Sequence, residues 1–170
     1  MPEGRSDADR AVTVLFREHH LELVRLALVM TGDLATAEDV VQDAFERLHR
    51  RWPRLRQPDS GLAYARSTVL NGCRSLARRS AVARKHLPVL AGPLIRGPGP
   101  ETAVAEQSEM LAALGALPRR QREVLVLRYY ADLDVDEIAR TLRITPSAVR
   151  SSASRGLTAL GASLGRTGND

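Results

Sequence analysis

Arg66, Arg74, Arg78, Arg79, Arg84 and Lys85 fall within a stretch, residues 60–100, that contains no acidic residue. Six uncompensated cations repel one another unless a polyanion is near, so their chemistry suits the neutralisation of a phosphate backbone. A solvated basic face is the alternative. Asn71 and Ser75, one helical turn apart, could add hydrogen bonds to bases or phosphates. Trp52 and Tyr64 border the same region and could stack on unpaired bases, or could simply close a core.

A second set has the opposite sign. Asp39, Gln42, Asp43 and Glu46 lie three to four residues apart, which puts them on one side of a helix. They read either as an ordinary solvated acidic face or as a docking face for a basic surface. A third set, Ser147, Arg150, Ser151, Ser152 and Arg155, has the short or flexible polar side chains that enter a major groove. Arginine there can pair bidentately with guanine, and serine can reach bases or phosphates. From Arg140 to Arg166 there are five arginines and no acid. A plain helical hairpin within a bundle is the competing reading.

Other chemistries find no constellation. His19, His20, His49 and His86 have no metal-ligand spacing with carboxylates. The sequence has no glycine-rich phosphate loop and no local signature of a nucleophilic triad. No enzyme, metal or cofactor is expected.

These sets sit on a chain whose charge is segregated. Residues 1–46 hold four basic and ten acidic residues, a net of −6. Residues 47–96 hold twelve and one, a net of +11, and residues 97–170 hold nine of each. The total of +5 hides this pattern, which scattered solubilising charge would not produce. Hydrophobic residues make up 44% of the 170, whereas aromatics are only 4%. Alanine-, leucine- and valine-rich chains of this kind favour packed helices. The one cysteine, Cys73, rules out a disulfide framework. No apolar run approaches the ~18–20 residues that span a bilayer, and the start does not read as a signal peptide. A protein of the reducing cytoplasm, without membrane insertion, is expected.

The elements that would position the three sets follow from periodicity. Helices are expected at about 10–30, at 34–52 and at about 61–80. The second carries Ala37, Val40, Val41, Ala44, Phe45, Leu48 and Trp52 on one stripe, with Thr31-Gly32-Asp33 breaking and then capping. Asp59 or Ser60 would cap the third, whose apolar side is Leu62, Ala65, Val69, Leu70, Cys73, Leu76 and Ala77. Residues 87–100, LPVLAGPLIRGPGP, contain four prolines and three glycines and read as a linker. Beyond it come an amphipathic stretch at 101–117, a helix opening at Pro118, and two short helices around the break RITP. Ile138, Ala139 and Leu142 face inward from the first of these, and Val149, Ala153, Leu157 and Leu160 from the second. Two short helices at a tight turn, the second rich in serine and arginine, read as a helix-turn-helix.

TGDLATAEDVVQDAFERLHRRW resembles region 2 of the extracytoplasmic-function sigma factors of bacterial RNA polymerase. AEDVVQDAF matches their AED-x-x-Q-[ED]-x-F signature. LPRRQREVLVLRYYADLDVDEIARTLRITPSAVRSSASRGL resembles their region 4. The resemblance implies an all-α fold of two small helical domains: a region 2 bundle over 8–86 and a region 4 helix-turn-helix over 104–164. A linker over 87–103 joins them, and no C-terminal appendage is expected. It implies that Asp39, Gln42, Asp43 and Glu46 bind the clamp helices of the polymerase β′ subunit. It implies that Trp52, Tyr64, Arg66, Asn71, Arg74, Ser75, Arg78 and Arg79 serve the melted −10 element. Arg143, Thr145, Ser147, Ala148, Arg150, Ser151, Ser152 and Arg155 would serve the −35 duplex.

Core polymerase (β′ clamp and β flap), promoter DNA and an anti-sigma factor are the partners implied. Two positions depart from the family pattern: Ser75 stands where aspartate is frequent, and Arg143 where the turn usually has glycine. A stand-alone helix-turn-helix regulator would leave the acidic face unexplained. A protein-binding adaptor would leave the recognition-helix arginines without use.

Overall fold

The computed structural model describes residues 3–55, 60–84 and 101–167, and among these every regular element is helical. The chain divides into two compact units, residues 1–90 and 91–170. The first contains α1 (Glu3–Thr31), α2 (Leu34–Arg51), a single 3₁₀ turn (Trp52–Arg54) and α3 (Ser60–Arg84). The second contains α4 (Glu101–Ala116), α5 (Arg119–Tyr129), α6 (Val135–Leu142) and α7 (Pro146–Thr167).

The α1–α2 corner is built by the residues expected there. Gly32 has φ +75°, a left-handed position that only glycine takes without strain, and its amide donates to Leu28 O at 2.7 Å. Asp33 then caps α2 by accepting from the Thr36 amide at 2.8 Å and the Thr36 hydroxyl at 2.5 Å. These two donors, the hydroxyl foremost, hold the Asp33 carboxyl below its ordinary pKa. Ala37, Val40, Val41, Ala44, Phe45 and Leu48 all point inward. They meet Leu23, Leu26 and Ala27 of α1 and Ala65, Val69, Leu70 and Cys73 of α3 in one core. A Cβ on Gly72 would lie 2.9 Å from Val40 Cγ1, so α2 and α3 pack there at closest approach.

In the second unit α5 is buried at five consecutive residues, Glu123 to Leu127, which places it at the centre of its neighbours rather than on an edge. A reciprocal capping box starts α6: the Glu137 amide donates to Asp134 Oδ1 and the Asp134 amide to Glu137 Oε2, both at 2.8 Å. Arg143 ends α6 in the left-handed region at φ 54°. Thr145 then accepts from the Ala148 amide at 3.1 Å, and Pro146 opens α7 where a missing amide costs nothing.

Differences from the sequence expectation are few and local. Helix α1 begins earlier and α3 and α7 run longer than their clearest periodicity. Trp52 leaves α2 for the 3₁₀ turn, since Pro53 cannot continue the hydrogen-bond ladder. Pro118 is the cap residue before α5 rather than its first turn. Ala77, in the second half of α3, and Leu157, midway along α7, are exposed rather than inward. The linker residues 85–100, and Asp59 as a cap for α3, lie outside the described residues; α4 starts at Glu101.

Candidate functional site

On α2 the four residues Asp39, Gln42, Asp43 and Glu46 are all exposed, opposite the buried stripe. Arg47 donates to Asp43 at 2.9 Å, and Arg50 stands 3.8 Å from Glu46, each one turn on. The face is split by its neighbours. Asp39 and Asp43 border a groove toward α3, while Gln42 and Glu46 border one toward α1. The second groove contains an aromatic cluster: Phe16, 42% exposed, is 5.0 Å from the Phe45 ring and 4.4 Å from His20. Sequence reasoning missed Phe16; its partner His20 one turn on was the available signal.

On α3 the structure separates one arginine from the rest. Arg66 donates through Nε (2.9 Å) and Nη2 (2.7 Å) to Glu22 Oε1 on α1, and its side chain is only 13% exposed. His19 Nδ1 lies 3.2 Å from the other Glu22 oxygen. Arg66 is therefore a tie between α1 and α3, with little of its side chain left exposed for the −10 strand expected of it. Its compensating acid lies 44 residues upstream, where a linear count of charge cannot find it. Asn71, Arg78 and Arg79 are exposed, and Arg74 and Ser75 are half-buried. Arg74 Nη1 donates to Asn71 Oδ1 at 3.2 Å and Arg78 Nη2 to Ser75 Oγ at 3.4 Å. Tyr64 and Trp52 are half-buried, and a Cβ on Gly61 would lie 2.8 Å from the Trp52 ring, which is thus packed against the start of α3. The side chain of Arg84, and Lys85 entirely, lie outside the described residues.

On α7 the outward side carries Ser147, Arg150, Ser151 and Arg155, all exposed, with Arg143 and Thr145 exposed in the turn and Ala148 half-buried. Arg155 Nη2 donates to Ser151 Oγ at 3.3 Å. Ser152 is different: it is 6% exposed and follows the fully buried Val149 by three residues, on the inward face. The sequence expectation put Ser152 among the DNA-contacting residues; the structure packs it beneath the helix, away from the outward serines and arginines. Ser154 and Thr158, exposed on the outward side, were missed; their spacing from Ser151 and Arg155 was the signal.

The unit that carries α7 is pinned by a buried acid that sequence reasoning also passed over. Glu123 is fully buried, with Arg120 Nη1 donating to it at 3.1 Å and Arg119 at 3.9 Å. Arg122 Nη2 donates to Gly115 O (2.6 Å) and Leu117 O (3.1 Å), closing the end of α4. Burial lowers the Arg122 pKa, and the Glu123 charge works against that. Among the described residues no group of three or more His, Cys, Asp or Glu side chains could hold a metal ion. None of the described helices is long and apolar enough to cross a membrane.

Two family models match the chain: Sigma-70 region 2 over residues 15–82 and Sigma-70, region 4 over residues 107–160. The ECF RNA polymerase sigma factor SigM of Mycobacterium tuberculosis is 31% identical over 156 residues, covering 89% of this chain and 76% of that protein. The chain belongs to the extracytoplasmic-function sigma factors of the sigma-70 family. A protein named "Probable RNA polymerase sigma factor RfaY", from Xanthomonas campestris, is 33% identical over 141 residues; the match covers 76% of this sigma factor and 34% of that longer protein. The RNA polymerase sigma-E factor of Streptomyces coelicolor is 28% identical, with 81% of this chain and 76% of that protein covered. The fold is shared with the sigma factor RpoE of Bartonella quintana, solved with the anti-sigma factor NepR (TM-score 0.73, 17% identity, 96% and 98% of the two chains). It is also shared with CnrH, solved with the cytosolic domain of CnrY (TM-score 0.70, 24% identity, 95% and 97% covered). The sequence expectation of a two-domain, all-helical sigma factor is borne out.

Proposed function

We propose that this sigma factor divides promoter recognition among its three exposed faces. The acidic face of α2, Asp39 to Glu46, docks on the β′ clamp helices of polymerase, with the second unit reaching the β flap. The outward side of α7, with Ser147, Arg150, Ser151 and Arg155, reads the −35 duplex, and Arg143 and Thr145 flank it. Asn71, Arg74, Ser75, Arg78 and Arg79 of α3, with Tyr64 and Trp52 at its start, hold the opened −10 strand by phosphate contacts and capture of unstacked bases. No catalytic step falls to this chain; polymerase supplies the chemistry. Such work with polymerase calls for a cytoplasmic protein. An anti-sigma factor is a further partner, by analogy with the partners of the two structural neighbours.

The observation that carries this reading is the two-sidedness of α7. Val149 and Ser152 are buried beneath it, while its outward serines and arginines meet no acid between Arg140 and Arg166. Run-off transcription with core polymerase on a genomic fragment library tests it. Discrete transcripts that require the added chain, and share paired upstream elements, are expected. Transcripts identical with and without it would overturn the reading.

A further inference from the structure

The turn between α6 and α7 holds a residue that its backbone does not favour. Arg143 stands at φ 54° and ψ 51°, in the left-handed region that a Cβ makes costly and that glycine takes freely. The turn demands this conformation. The Ile144 amide donates to Ala139 O at 3.0 Å and the Arg143 amide to Arg140 O at 3.4 Å, closing α6, while Leu142 and Val149 are buried on either side. Whatever residue stands at 143 must adopt it. Among the described residues the other non-glycine with positive φ is Asp132, at 52°, a short polar type that tolerates the region. Arginine has no such tolerance, so strain retained here points to a use for its side chain.

The surroundings indicate which use. Arg143 is exposed, and so are Arg140 before it and Thr145 and Ser147 after it. No acidic residue lies between 138 and 166, and the Glu137 carboxylate accepts from the Asp134 amide at 2.8 Å, at the far end of α6. The place is also suggestive. In a helix-turn-helix the first helix crosses the phosphate backbone and the N-terminal residues of the second reach base edges. Arg143 lies at the passage from one to the other, three residues before Pro146 opens α7. A guanidinium there meets the phosphates that border the groove. Its charge could instead complement the C-terminal dipole of α6, but Arg140 in the last turn already supplies that charge.

We infer that Arg143 grips a backbone phosphate at the edge of the −35 duplex, and that the turn tolerates its strain for that contact. The grip adds affinity without sequence preference and fixes the entry end of α7, leaving discrimination to the outward side of the helix. The inference rests on the reading of α7 as the duplex-reading helix.

The test measures binding of fluorescein-labelled duplexes of ~25 base pairs to the full chain by anisotropy, at salt from ~50 to ~200 mM. One duplex carries the upstream element shared by the run-off transcripts, and the other is its scramble. Arg143→Gly is expected to weaken both by the same ~3–10-fold at the lower salt, and to make the fall of log affinity with log salt shallower by ~1. Arg143→Lys keeps the charge and is expected to keep the slope. Arg17→Gln, which removes an exposed charge from α1, is expected to match wild type. Unchanged affinity and slope in Arg143→Gly, or an equal change in Arg17→Gln, would overturn the phosphate contact. A loss confined to the specific duplex would overturn it too, by making Arg143 a base reader. Lowered stability of Arg143→Gly with affinity per folded molecule intact would reduce the residue to a helix-end charge. Arg150→Ala separates the two readings. If it weakens binding where Arg143→Gly does not, the Arg143 assignment alone falls; if neither does, α7 is not the duplex reader and both fall.

Discussion

Helices α3 and α7 are both long, arginine-bearing and exposed on one side, yet they hold their arginines in opposite ways. On α3, Arg66 is committed to Glu22, Arg74 and Arg78 are engaged by Asn71 and Ser75, and Arg79 shares a groove with two aspartates. On α7, Arg150 stands exposed in a stretch without an acid, and Arg155 reaches only its own preceding turn. A duplex is present before polymerase arrives, so a helix that reads it gains from being open at all times. An unpaired strand exists only once the promoter has been opened. A helix that captured stray single strands earlier would be diverted from its task.

The largest effect expected from breaking this contrast lies on α2. Reversing Asp39 and Asp43 to Arg should abolish co-purification with core polymerase, a loss of at least ~100-fold if each close charge pair contributes ~1.5 kcal/mol or more. Circular dichroism should stay that of the folded chain, and duplex binding through α7 should persist. Unchanged co-purification would remove α2 from the polymerase interface. Next in size is Arg150→Ala, which should weaken −35-dependent transcription by ~1–3 kcal/mol and relax specificity at one position. Equal losses on a scrambled −35 template would reduce Arg150 to a phosphate contact.

Arg66→Ala should act on stability instead. A part-buried pair with two guanidinium donors on one carboxylate oxygen lies between exposed and buried cases, so a loss of ~1–2 kcal/mol in denaturant unfolding is expected. Strand affinity per folded molecule should not change; if it falls as for Arg79→Ala, Arg66 belongs with the DNA-facing set. The smallest effect is expected at Arg143→Gly. It should stabilise the second unit by ~1 kcal/mol, by relieving a left-handed non-glycine residue, and appear as a higher melting temperature. Equal or lower stability would show that the arginine side chain compensates its backbone.

The fold and the exposed faces of α2, α3 and α7 could be read from the residues because their signals are local. Asp33 caps three residues ahead, the α2 stripe repeats every turn, and Asp134 and Glu137 advertise the start of α6 within four positions. What escaped is non-local or depends on helix phase. The partner of Arg66 sits on another helix. Ser152 and Leu157 were assigned by polarity, yet one is packed inward and the other stands 45% exposed. Small polar residues fit beneath a helix where its neighbour passes close, and an apolar residue at stripe spacing still projects outward where no neighbouring helix covers it. Glu123, between Arg122 and the apolar run Val124 to Leu127, would have read as an outward position on any amphipathic wheel, but α5 has no outward side at its centre.

That enclosure of α5 has a consequence for how the DNA reader could be transplanted. Residues Glu123 to Leu127 are covered on every side, and α7 supplies part of the cover. A fragment cut to α6 and α7 alone would expose the faces that α5 now fills and would not hold the angle between its two helices. The smallest portable reader in this chain therefore begins before Arg119, and a graft of the visible motif alone would carry the letters without the frame that spells them.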